Sequence, residues 1–182
     1  MPTILTHAVL PLAVAWGLGP MRISPKLAFA GAVAAMLPDA DVIGFAMGVP
    51  YETAWGHRGA THSLALALIC GLVAAGLAGR LQSTPRTTFL FVGGAMASHG
   101  LTDMLTDGGH GIAIFWPFSD QRFFWPFRPI EVSPIGLTRF LGPRGLDVLM
   151  SELVWLVLPT LIMVLALRKF LPRPVDLAGP RS

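Results

Sequence analysis

Residues 148–167 read VLMSELVWLVLPTLIMVLAL, twenty residues with one carboxylate, Glu152, and one proline, Pro159. As a helix this stretch is about 30 Å long, the thickness of a bilayer's hydrocarbon core, and a proline is tolerated in such a span. It decides the fold class: an all-α integral membrane bundle. Four further apolar stretches precede it, at about Ile4 to Leu18, Leu27 to Leu37, Leu64 to Ala78 and Thr88 to Ala97. With their polar ends included, Thr61–Gly79 and Arg86–Asp103 reach nineteen and eighteen residues, and their glycines and alanines suit close helix packing in lipid. About five membrane-embedded helices are expected.

The rest of the composition agrees. The chain of 182 residues is 53% hydrophobic and 13% charged, where a soluble domain carries about a quarter charged residues. Its mean hydropathy is +0.64, and none of the apolar runs carries the polar stripe that a helix facing water needs. So much apolar side chain also excludes disorder. The pI near 9.8 rests on 13 basic against 10 acidic residues, which is no nucleic-acid footprint. A single cysteine, Cys70, cannot form an internal disulfide or a thiolate metal site. The start, MPTILTHAV, has no basic residue ahead of its apolar part, so a cleaved signal peptide is not expected. Residues 1–171 read as one membrane-embedded domain and 172–182 as a flexible tail.

Alternating helices sort the scarce polar residues. His7, the pair Asp39 and Asp41, the pair His57 and His62, and His99 with Asp103 all fall at helix ends on one membrane face. Arg22, Lys26, Arg80, Arg86, Arg168, Lys169, Arg173 and Arg181 fall on the other, against five arginines on the histidine side. The positive-inside rule then places the basic face in the cytoplasm and the His/Asp face outside it.

Four islands carry the chemistry: Thr6-His7, the PDAD of residues 38–41, GHRGATHS from Gly56 to Ser63, and SHGLTD from Ser98 to Asp103. In the third, Thr61 or Ser63 is placed to cap the next helix; in the fourth, His99 and Asp103 are four apart and share a helix face. Neutral nitrogen and anionic oxygen donors on rigid elements suit zinc, manganese or magnesium, and there are enough of them for one or two ions. Two ions would activate water and brace a phosphoryl group in in-line attack, which favours phosphoester over peptide hydrolysis. HExxH and GxSxG are absent, so zincin and serine-hydrolase chemistry lack support. His110, in the glycine-rich TDGGHGIA, reads as a structural or solvent-facing residue. The segment 114–136, IFWPFSDQRFFWPFRPIEVSPIG, interleaves aromatics with Arg122, Arg128 and prolines. It reads as a long aromatic-rich loop in the interfacial belt, capping the polar face and able to bring an acyl chain and an anionic headgroup to it.

These islands, together with FWPF at Phe115–Phe118, resemble the membrane-bound metal-dependent hydrolases of uncharacterised-domain type 457, a family that includes an inner-membrane protein associated with the LexA repressor. The resemblance runs from Thr6 to about Leu158. It implies a bacterial inner-membrane hydrolase with metal ligands at His7, Asp39 or Asp41, His57, His62, His99 and Asp103. A more distant similarity, to zinc-dependent phospholipase C and P1 nuclease, rests on the HxxxD pair at His99 and Asp103 and makes zinc the first choice of metal. Those enzymes ligate zinc through a processed terminal amine, whereas this chain begins Met-Pro-Thr. Under this reading His57, His62, His99 and Asp103 hold a first ion, and His7, Asp39 and Asp41 complete a second. Asp39 or Asp41 acts as general base, with Glu52 a weaker candidate, and Arg58 clamps a phosphate. The expected function is metal-dependent hydrolysis of a phosphoester, such as a phospholipid or lipid-linked phosphate, at a membrane surface. The rival is a non-enzymatic membrane protein that binds or transports a metal, with Glu152 as an intramembrane partner.

Overall fold

The computed structural model describes residues 1–134 and 137–170; the tail expected over 172–182 lies outside the described residues. Six α-helices of ten residues or more form the bundle among them: α1 (Ile4–Leu18), α2 (Pro25–Met36), α3 (Leu64–Gly76), α4 (Pro85–Asp103), α5 (Pro143–Glu152) and α6 (Leu158–Phe170). Their starts follow local chemistry. Ser24, Ser63 and Thr84 each accept a backbone N–H of the first turn, from Leu27, Leu66 and Thr87, and prolines stand at the first positions of α2 and α4 where no N–H is needed.

α2 does not end cleanly. A 3₁₀ turn over Leu37–Val42 and a short helix, Ile43–Ala46, extend it into an apolar run of 22 residues. α5 passes through a π-turn, Leu153–Val157, into α6, giving a run of 28 residues. Both runs are long and apolar enough to cross a membrane. α1 and α3, at 15 and 13 residues, are shorter.

Packing follows the order α3, α4, α2, α1, α6 across the bundle. α3 and α4 meet through small residues: a Cβ added at Gly71 would lie 3.2 Å from the Gly93 Cα, so only glycine lets the backbones come this close. The core between α1, α2, α3 and α4 is made of Ala15, Ile23, Leu27, Ala34, Ala67, Ala74, Val92 and Met96. Outward, large apolar side chains such as Leu5, Phe29, Leu72, Val73 and Ile162 are exposed, a surface that suits lipid and would be an aggregation liability in water.

The expectation of about five helices under a long aromatic-rich capping loop is corrected in two respects. The 148–167 stretch is not one helix: the π-turn directly after Glu152 divides it, and its helix begins earlier, at Pro143. The aromatics of 114–127 form no common cluster among the described residues; they meet in separate pairs, Phe115 with Phe123, Trp116 with Trp55 and Phe127 with Trp155. Phe118 is 92% exposed. The physical reason is that backbone bonds pin this segment down. Ile112 and Phe123 exchange hydrogen bonds, and the Arg122 guanidinium donates to the carbonyls of Tyr51, Thr53 and His57.

Candidate metal centre

The turn after α2 separates its two carboxylates. In a 3₁₀ turn residues two apart differ by two-thirds of a revolution, so Asp39 and Asp41 reach opposite sides of His62, Asp39 its Nε2 side and Asp41 its Nδ1 side. Asp39 is buried beside His62 and His99, with carboxylate-to-Nε2 distances of 3.7 and 3.4 Å. Asp41 faces His57, whose Nδ1–H donates to it at 2.6 Å. α4 supplies His99 and Asp103 one turn apart on its buried face. It approaches the His62 turn only because residue 100 is glycine: a Cβ there would lie 2.5 Å from the His62 carbonyl oxygen. α1 contributes His7, stacked on His99 with ring centroids 3.7 Å apart.

Three imidazoles share one arrangement. His99 Nδ1–H donates to the Ala35 carbonyl at 2.7 Å. Thr61 gives its proton to Asp41, so its oxygen accepts from His62 Nδ1–H at 2.9 Å. Thr102 gives its proton to the His99 carbonyl and accepts from His7 Nδ1–H at 3.2 Å. An outer bond from one ring nitrogen leaves the other as a lone-pair donor, the pattern of metal-binding histidines. Here all three Nε2 atoms turn inward to Asp39 and Asp103, at 3.4–3.9 Å from their oxygens.

Those Nε2 atoms and all four oxygens of Asp39 and Asp103 are buried without a hydrogen-bond partner. Buried polar atoms are rarely left so, and an ion is one explanation. The spacing fits: two donors, each about 2.1 Å from one ion and at a tetrahedral angle, stand about 3.4 Å apart. Asp39, His62, His99 and Asp103 can offer one atom each to a common ion, and Asp41, His57 and His62 form a second such group. Charge agrees as well. Asp39, Asp41 and Asp103 against Arg58 leave two negative charges in a buried site, which a divalent cation would offset. Without the ion His62 takes up part of that role. Burial lowers its pKa, but the carboxylates of Asp39, Asp41 and Asp103 packed around the ring outweigh this and raise it to about 9.

Arg58 sits in the left-handed region at φ 65°, with Nη1 donating to the Gly108 carbonyl and Nη2 to Thr106. Only its Nε turns to the centre, 3.5 Å from Asp103. Glu52 and His110 pair with each other at the surface, away from the cluster. Glu152 is buried but faces the start of α1, accepting from the Thr3 N–H at 2.5 Å, the Thr3 hydroxyl at 2.9 Å and the Thr6 hydroxyl at 2.6 Å. The orienting partners Thr61, Thr102 and the Ala35 carbonyl were not singled out as such from the sequence. Their signal is adjacency, for Thr61 and Thr102 stand inside the GATHS and HGLTD islands.

Fold and site together define a helical membrane protein with a buried, pre-organised His/Asp centre able to chelate a metal ion. The chain belongs to the family described as YdjM inner membrane protein, whose model matches residues 1–172. A relative in Escherichia coli (strain K12), Inner membrane protein YbcI, is 44% identical over 165 residues, covering 90% of this chain and 95% of that protein. No solved structure matches. Membership and the two long apolar runs place the chain in the inner membrane. Neither match describes a hydrolase or a nuclease, so of the expected kinship the inner-membrane family stands and no catalytic link comes with it.

Proposed function

We propose that the protein holds a resident divalent metal ion at the His/Asp centre. The observation that carries this is the set of three inward Nε2 atoms and four carboxylate oxygens that have no other partner. Mixed imidazole and carboxylate donors favour zinc, with manganese next, over magnesium. Transport is the weaker form of the reading, because the bundle core between α1, α2, α3 and α4 is packed with apolar side chains such as Leu27, Ala34, Val92 and Met96. Metal analysis of protein purified in detergent without chelator tests it: about one or two ions per chain are expected, and metal-free protein would refute it.

A second reading, hydrolysis of a phosphoester such as a lipid-linked phosphate, is favoured by the second group, Asp41, His57 and His62, beside the first, where His62 would have to give up its Nδ1 proton to ligate a second ion. A bound divalent ion supplies Lewis-acid polarisation and a lowered pKa for water. The chain's own part is to hold donors and move a proton. Asp39, with both oxygens unpartnered, is a better-placed base than Asp41, which already accepts from His57, the Arg58 N–H and Thr61. Arg58 Nε, 3.5 Å from Asp103, is a permanently charged donor that would orient an oxyanion beside it. Turnover of a phosphoester panel by metal-loaded protein, lost in Asp39→Asn, supports this reading; full activity in that variant contradicts Asp39 as base.

A further inference from the structure

An apolar cavity of about 480 Å³ adjoins the centre. Its apolar walls include Ile4 and Leu5 of α1, Val42 after α2, Phe140 ahead of α5 and Leu149 of α5, and Asp39, Met1 and Ser133 also line it. The volume is that of a small-molecule site. Asp39 is 1% exposed and both its oxygens lack a partner, so the cavity shares a wall with the metal-ligand group. The other polar side chains lining it near α1, Thr3 and Thr6, are committed to Glu152. Of the polar groups that remain, Asp39 and the Met1 amine stand at the end of the cavity nearest the centre, and the apolar walls supply most of the rest. Toward the outside, Leu5 and Leu149 are 71% and 46% exposed, on the apolar surface that this inner-membrane protein presents to lipid. The cavity thus connects a hydrocarbon-facing surface to a metal-binding carboxylate.

We propose that this cavity is the chain subsite for an amphiphile: its hydrocarbon tail lies between α1 and α5, entering sideways from the bilayer, and its phosphoryl head meets the metal centre at Asp39. The assignment rests on the metal centre and phosphoester readings above and adds where the chain goes. Because Asp39 is itself an anion, the head binds only when a cation is present beside it.

The test uses full-length, zinc-loaded protein in lipid nanodiscs, with metal content measured on every sample. Affinities are compared for inorganic phosphate and for butyl, hexyl and octyl phosphate. Affinity is expected to rise up to about fourfold per methylene until the cavity is filled. Two variants that fill the cavity, Leu149→Trp and Val42→Phe, are expected to flatten that slope while keeping the metal and the affinity for inorganic phosphate. Chelator-treated protein is expected to bind none of the phosphates. Equal affinity for inorganic and octyl phosphate in metal-loaded protein overturns the chain subsite and leaves the metal centre standing. So does a slope that both variants leave intact, which reports chains dissolving in the disc lipid. Failure of the protein to hold metal overturns the metal centre, and this assignment with it.

Discussion

At the scale of single residues, the proposed metal centre depends on side chains outside the ligand set. Thr61 and Thr102 accept the Nδ1–H of His62 and of His7 and so fix which nitrogen faces inward. Loss of such a partner typically lowers metal affinity about 10–100-fold. Thr61→Val and Thr102→Val are therefore expected to weaken zinc binding by that factor, read by competition with a chromophoric chelator; unchanged affinity would show that the rings need no outer partner. His62 makes the centre pH-sensitive. In metal-free protein its raised pKa contributes stability that is complete below its ordinary value of 6.5 and is lost as pH rises through about 9. The Tm of chelator-treated protein is expected to fall across that window, while metal affinity rises because the ion has less of a proton to displace. A Tm that climbs through the same window would contradict the placement of His62 between Asp39 and Asp41.

At the scale of elements, the centre exists because helix ends meet closely. Gly100→Ala would press a methyl against the His62 carbonyl, an overpacking worth about 1–3 kcal/mol. Thermal unfolding is expected to show a lower Tm together with weaker metal binding; a Tm equal to wild type would mean that α4 can move away freely. The islands were legible because metal chemistry uses few residue types: His99 and Asp103 share a face by helix periodicity alone, and Ser63 stands where a cap must be. Glu152 was legible as an oddity in an apolar stretch, but its bonds to Thr3 and Thr6 join residues far apart in sequence, and periodicity says nothing of such pairs. The π-turn after it was hidden for a related reason, since an apolar run reads the same in an α-helix and in a π-turn. In segment 114–136 the aromatic and proline content suggested one capping loop, yet Arg122 spends its donors on loop carbonyls and the rings of 115–127 meet only in separate pairs. Composition carries polarity; it does not carry which backbone carbonyl an arginine finds.

At the scale of the whole molecule, the apolar exterior and the buried polar centre are two sides of one arrangement, in which lipid-facing helices leave the few ionisable groups a shared interior. Basic residues gather at the opposite end: Arg168 lies over the Trp16 ring at 4.2 Å, near the end of α1 remote from His7. The positive-inside rule therefore predicts that a reporter fused after the C-terminus is active only if it folds in the cytoplasm. Alkaline phosphatase activity from that fusion, which requires export, would reverse the orientation. The central claim, that His and Asp side chains from α1, α4 and the turns between hold a metal, is tested most directly by X-ray absorption at the metal edge. The protein is purified without chelator and compared with Asp103→Ala. Wild-type protein is expected to show scattering from imidazole nitrogen and carboxylate oxygen at about 2.0–2.2 Å, and the variant at least tenfold less metal with its helical circular dichroism intact. Wild-type protein without bound metal, or a variant with the same metal content and the same scattering shell, would contradict it.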